Sequence, residues 1–480
     1  MKRKRMAALG MAAVMTLSLL AAGCGGTDKG GSSSASGTAA EGKKDVVTAL
    51  LPPVSATYQD KINTYIEDFN KENPDIEIKV TTASWEDVTQ KLDVQVNAGS
   101  PPDIAFIGSS GVTKYLDTDM AVDISKYLEE DQINDFDENV LNYFKNQEGL
   151  YGLPAYCEIQ CIGGNRELLE TAGIDWKAVQ KDGWTYDEFR EAIKKGVVKE
   201  GDQVKTYGFL FACAGVTAKD YFGIFVKNAG LPDAFDKDLK YAYTSKQMLT
   251  FLEDLRALID DGSMPKELGS IDAGKRWNMM LTGQTMITGK GLSSFEKSAY
   301  ENTEKLKNND SSAVEGSIPV EYVVLPVPVF EEGKQQAQGA VDGYICLTGE
   351  KNPDEQHLKN VAKVAYYLAS SERAAQTCQE LYLKPVCETG RTAYEKLPPI
   401  ENKNEDNTKA VETLTAQIAE ARPDIPADKG AAAIKIQDEV IMPKFQGLLA
   451  GEVTPEEMYK AIVDTGHAAF GEEGCVSDES

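Results

Sequence analysis

Three short apolar runs separated by helical patterns constrain this chain more than any other feature. VVTALL (46–51) is followed by Ile62, Tyr65, Ile66 and Phe69, spaced to make one apolar helix face that stops at Pro74. IEIKV (76–80) leads into a second helical stretch from Trp85 to Val96, and DIAFIG (103–108) completes the series. Parallel strands need a helix-length crossover, so this β-α-β-α-β order predicts a parallel sheet covered by helices. Further strands are expected at YCEIQCIGG (156–164), YGFLF (207–211), TMITG (285–289), YVVLPVPV (322–329) and GYICLT (343–348). The prolines of LPVPV exclude a central ladder there and suit a segment crossing between two lobes.

Helix starts are marked by their chemistry. In WTYDEF, Thr185 can cap a helix and Glu188 can return the bond, with Trp184 and Phe189 at the staple positions. Thr454-Pro455-Glu456-Glu457 repeats that capping box, and Asn165 reads as a further cap. No internal repeat is present.

The amino-terminal end has a different character. Lys2 to Arg5 precede an apolar run from Met6 to Leu20, then Ala21-Ala22-Gly23 and Cys24, the layout of an export signal. The run is also long enough for a retained membrane anchor, and either reading puts the body outside the cytoplasm. The small residues before Cys24 resemble the lipobox of bacterial lipoproteins, in which the signal is cut ahead of a lipid-bearing cysteine. Residues 25–44 carry no large apolar side chain and are expected to act as a Gly/Ser tether. About 435 residues remain, more than one hydrophobic core usually organises, so two lobes are expected.

With 76 acidic and 50 basic side chains the chain carries a net charge of -26, which opposes binding to nucleic acid. Beyond Cys24 there are Cys157, Cys161, Cys213, Cys346, Cys378, Cys387 and Cys475, an odd number that leaves at least one thiol unpaired within the monomer. On a strand Cys157 and Cys161 would stand about 13 Å apart, beyond disulfide reach. Cys378 and Cys387 flank an expected helix end and can pair, although buried free thiols are the commoner state.

Catalytic chemistry is poorly supplied. His357 and His467 are the only histidines and are far apart in sequence, which argues against a Ser-His-Asp triad or a histidine metal site. GKGLSS (289–294) lacks the spacing and lysine of a phosphate loop. Acidic pairs such as Glu129-Glu130 and Asp260-Asp261 fit a solvated face better than the paired carboxylates of a glycosidase. The expectation is a protein that is not an enzyme and holds no cofactor or metal.

Several blocks, in order, resemble the extracellular solute-binding proteins of ABC importers, in particular the sugar-binding group that includes the maltose and multiple-sugar binders. They are the lipobox and tether, FNKENPDIEIKV, KLDVQVNAGSPPDIAFIG, GLYGLPAYCEIQCIGGNRELLETAGID with WTYDEF, LTGQTMITG, VVLPVP and LLAGEVTPEE. The resemblance implies an α/β, two-lobed fold of the type II periplasmic-binding-protein kind, with the ligand in the cleft and closure read by the membrane permease. It implies crossings near 152–158, 323–328 and 384–390. The expected organisation is a signal at 1–23, lipidated Cys24 and tether at 24–44, one lobe at 45–154 plus 327–384, and the other at 155–326 plus 385–480. The partners implied are a small solute, expected to be a sugar, the permease subunits and the membrane lipid. An oligopeptide or other solute, and a sensor that feeds no permease, remain the alternatives.

Loops after the carboxyl ends of strands line such clefts. That rule nominates 53–58, Ser109 and Ser110, Glu158, 211–215 and 290–293. Sugars need polar groups for their hydroxyls and aromatic faces for their C–H side. The ligand set expected on these grounds, with Trp85 and Ser109 supported by what the resemblance implies, is Ser55, Trp85, Ser109, Glu158, Phe211, Trp277, Asp342 and Tyr344. Against the maltose-binding pattern, an expected aromatic after TMITG is replaced by Lys290-Gly291-Leu292, which removes a stacking platform and disfavours a long maltodextrin.

Overall fold

Strands β1 (Asp45–Leu51), β2 (Ile76–Thr82) and β3 (Ile104–Gly108) alternate with helices Tyr58–Glu72 and Trp85–Asn97. The computed structural model describes residues 44–480 except 56, 109–110, 117–119, 215–216, 331–335, 350–352, 419–420 and 478–480. The export signal, Cys24 and the tether lie outside the described residues. β1 lies between β2 and β3 and is parallel to both, as the alternation predicts. The helix faces also follow the pattern: Ile62, Tyr65 and Phe69 are buried on the first helix, and Val88 and Leu92 on the second.

The sheet continues through β4 (Gly152–Asn165), β5 (Val198–Glu200), β6 (Gln203–Phe211), β7 (Thr285–Gly291), β8 (Tyr322–Leu325) and β9 (Gln338–Cys346). Among the described residues the strand order is β2-β1-β3-β9-β4-β7-β6-β5, with β8 paired to β4 off this path. β4 is the long element, and it changes partners along its length. Residues 152–160 pair antiparallel with β9, whereas 161–165 pair with β7 and β8.

Apolar side chains gather on either side of that change. One core unites β1–β3, the start of β4, the end of β9 and residues as far as Cys387. A second, rich in aromatics, packs Phe189, Phe209, Phe211, Tyr221, Phe222, Phe225 and Phe445. A smaller third cluster joins Ile159, Met280, Tyr322, Val324 and Leu414. β8 stops before Pro326 and Pro328, because proline has no N–H to give a ladder. Instead the Trp184 indole donates to the Pro326 carbonyl at 2.8 Å.

The marked helix starts form as expected. Thr185 and Glu188 make both bonds of the capping box, and Trp184 meets Phe189 edge-on at 5.1 Å. Thr454 and Glu457 do the same, and Asn165 accepts from the Glu167 N–H. β6 lies so close to helix Tyr186–Lys195 that a Cβ on Gly208 would stand 1.8 Å from the Ile193 carbonyl oxygen. All seven described cysteines are free thiols, including Cys378 and Cys387, which the sequence allows to pair. The Cys387 Sγ is directed at the Ala369 carbonyl, 3.8 Å away. No helix of the described residues is long and apolar enough to cross a membrane.

Candidate functional site

The site follows from the two-residue period of β4 and β9. Their antiparallel register sets Tyr156 opposite Asp342, Glu158 opposite Ala340 and Gln160 opposite Gln338. Alternate residues share a face, so these six point one way while Cys157 and Ile159 point the other. The polar face is the floor of a cavity of about 380 Å3, where Gln160, Gln338, Ala340 and Asp342 are exposed to its interior. On the opposite face Cys157 and Ile159 line a separate cavity of about 510 Å3 with Tyr143, Leu383, Val411 and Ile418.

The walls of the floor-side cavity come from both cores. Gly108, Lys145 and Asn146 lie on the side of β1–β3, and Asp220, Phe235, Tyr243 and helix Ala427–Ile436 on the other. The Gln147 amide donates to the Asp424 carbonyl at 3.1 Å, and helix Ala427–Ile436 packs on the short helix Thr113–Leu116. These contacts bring the two walls together.

Charge is concentrated at the floor. Glu158 is 8 % exposed, and burial pushes its carboxyl up to about 8. Lys290 opposes that shift, Asp342 adds to it, and the N–H groups of Ser293 and Ser294 at the start of helix Ser294–Lys307 favour the charged form. Desolvation wins, so Glu158 is mostly protonated at neutral pH. Burial also raises the Asp342 carboxyl, against Lys290 and the Tyr156 hydroxyl, which donates to Oδ2 at 2.9 Å. Lys290, at the end of β7, stands 3.4 Å from Asp220, and the surrounding carboxylates hold its ammonium above the usual range despite burial.

The expected ligand residues divide on this frame. Asp342 lines the cavity, and Glu158 shares its strand face but is not among the described cavity-lining residues. Ser109 lies outside the described residues. Trp85 is 40 % exposed, with its indole N–H on the Pro53 carbonyl at 3.0 Å and its ring edge-on to Phe106, but it is not among the described cavity-lining residues. Ser55 and Thr57 donate to Glu380, which Lys61 also meets at 2.6 Å. Burial raises the Glu380 carboxyl, but these three partners outweigh it and hold it low, so Ser55 ties a loop to helix Ser371–Glu380.

Three of the expected aromatics pack into cores and are not among the described cavity-lining residues. Phe211 is 1 % exposed and stacked on Tyr221 at 4.7 Å, because the last residues of β6 turn into the second core. Tyr344 is 3 % exposed, with its hydroxyl 3.1 Å from that of Tyr58 and its ring against Phe106. Trp277 packs at 4.5 Å on Phe295 and edge-on to Tyr322, in the third cluster. Phe235 and Tyr243 border the cavity, but at 1 % and 6 % exposed they too belong to the second core.

Sequence reasoning missed Gln160 and Gln338, although the alternation in YCEIQC and QGAVD carried the signal. Asp220 left no such trace, because it comes from helix Ala218–Val226 and meets Lys290 only through tertiary packing. Away from the cleft, His357 holds Asp45 at 2.9 Å and Asp103 at 3.0 Å, a structural bridge within the first core.

The sequence pattern of the bacterial extracellular solute-binding proteins matches residues 53–375. A Brucella abortus protein designated only as a binding protein is 23% identical over 306 residues, 62% of this chain and 68% of that one. Among solved structures, an ABC substrate-binding protein of Listeria monocytogenes in complex with cycloalternan superposes with a TM-score of 0.67 at 19% identity, covering 89% of this chain and 100% of that one. An ABC transporter solute-binding protein of Thermotoga lettingae bound with α-D-tagatose gives 0.67 at 19% identity, over 89% of this chain and 99% of that one. Fold and sequence pattern agree, and the chain belongs to the bacterial extracellular solute-binding proteins, with their two-lobed α/β architecture.

Proposed function

We propose that the chain is the carbohydrate-binding lipoprotein of an ABC importer, capturing a mono- or short oligosaccharide outside the cell and passing it to the permease. The observation that carries this reading is the polar floor of the cavity, lined by Gln160, Gln338 and Asp342 on one face of two strands, with Glu158 on the same face beneath them. Saccharide hydroxyls are donors that need such acceptors, and ring C–H faces need apolar lining. A volume of about 380 Å3 is at the small end of ligand cavities and favours a short sugar. The sugar complexes of the Listeria and Thermotoga proteins support the same class.

The mechanism is hinge closure. β4 and β9 run through the junction of the proposed lobes, 45–154 plus 327–384 and 155–326 plus 385–480, although Ala155, Tyr156, Val386 and Cys387 pack in the first core and Val327 in the second. A solute that touches both walls binds the closed form better, and only that difference in affinity shifts the balance. Lipid on Cys24 would hold the body at the outer face of the membrane while residues 25–44 give it reach. Binding needs no bond-breaking, so no catalytic residue is assigned.

A thermal-shift panel of mono- and oligosaccharides, short peptides, polyamines and divalent metals tests the reading. A true ligand at 100 times its Kd stabilises by about 2.7 kcal/mol. Stabilisation by peptides alone refutes the sugar assignment, hydrolysis of a glycan refutes the non-enzymatic one, and lobes whose separation in solution scattering ignores the sugar refute closure.

A further inference from the structure

The floor of the cleft is short of positive charge. Asp342 and Asp220 share one ammonium, that of Lys290, which is 3.4 Å from Asp220 and acts on Asp342 as well, while Glu158 beside them is mostly protonated. Of the other cations of the lining, Lys219 pairs with Asp438 and Arg422 with Asp424, and Lys145 stands on the β1–β3 wall. Asp342 is left with one hydroxyl, from Tyr156, and a shared lysine.

A second observation is independent of charge. Gln160 is 7 % exposed and lines the cavity, yet its Oε1 has no hydrogen-bond partner, and the same is true of Oε1 of Gln338 in the lining and of Glu158 beneath it. Buried acceptors without donors are costly. The two orphan atoms in the lining, Oε1 of Gln160 and of Gln338, are acceptors, so they call for a ligand that brings donors.

We propose that the solute is a saccharide bearing a basic nitrogen, whose ammonium sits at the Asp342 carboxylate beside Asp220 while its hydroxyl groups donate to Gln160 and Gln338. This inference rests on the saccharide reading and narrows it. An ammonium supplies up to three donors and the missing charge, and a charge-assisted bond is about twice as strong as a neutral one. An N-acetyl group at the same position has one donor, no charge and extra bulk.

The test is calorimetry and thermal shift on the full body of the protein with matched sugars: glucose and glucosamine, galactose and galactosamine, cellobiose and the glucosamine disaccharide, each amine also as its N-acetyl form. The amine of at least one set is expected to bind about tenfold or more tightly than its neutral partners, with a preference that shrinks in high salt. Asp342→Asn is expected to erase most of that preference, and Asp220→Asn to reduce it; the second variant decides if the first does not fold. Neutral forms that bind as tightly as the amines overturn the proposal and leave the saccharide reading standing. Unchanged preference in the variants overturns the placement at Asp342. Stabilisation by no sugar in either form overturns both.

Discussion

Replacing Glu158 with glutamine keeps the shape of the side chain and removes its titration. In the folded protein burial pushes the carboxyl up to about 8, against about 4.3 in an unfolded chain. Between those values the native state holds a proton that the unfolded state has lost, so stability falls as pH rises. The favourable state is complete below about pH 4.3 and is lost through pH 8. At 1.36 kcal/mol per unit the accumulated loss is about 5 kcal/mol, and Glu158→Gln escapes it. An unfolding entropy of about 2.1 cal/mol/K per residue over about 440 residues turns this into about 5 °C in Tm. Calorimetric scans of the ligand-free protein from pH 4.5 to 9 at constant ionic strength measure it. The variant should match wild type at pH 4.5 and exceed it by about 5 °C at pH 9. Parallel Tm curves, or a variant less stable than wild type at pH 9, would refute the claim that desolvation governs this group.

Two further outcomes are expected. Asp103, the stronger partner, and Asp45 outweigh burial and raise the His357 imidazole to about 9, so its contribution is complete below pH 6.5 and lost as pH rises through 9; His357→Gln should cost about 3 kcal/mol at pH 6 and converge with wild type above pH 9 in urea melts. Gly208→Ala forces a methyl against the Ile193 carbonyl and should cost about 3 kcal/mol, whereas Gly269→Ala, where a Cβ meets nothing within 4 Å, should stay within about 0.5 kcal/mol; equal Tm values for these two would contradict the close approach.

The elements that were legible in the sequence are those governed by short-range rules. The β1–β3 alternation, the Thr185 and Thr454 capping boxes and the Asn165 cap all formed where residue spacing placed them. The strand at Glu158 was also legible, with its charge against an apolar background. The aromatic site residues were not, because Phe211, Tyr344 and Trp277 look alike in sequence whether a ring faces solvent or a core. Burial separates them, and burial depends on what the rest of the chain brings: Tyr221 to Phe211, Tyr58 to Tyr344, Phe295 to Trp277.

By itself the sequence determined the period-two faces of β4 and β9 and the helices that cover β1–β3, and its ordered motifs match the family to which the chain belongs. Only the tertiary structure decided which face of β4 meets the cleft, and that Asp220 and Lys290 close over Asp342 and Glu158. Periodicity is local and survives in any context, whereas desolvation and Coulomb interaction act through space between residues far apart in the chain. The charge shortfall at the floor exists only after those residues have been brought together and water has been excluded.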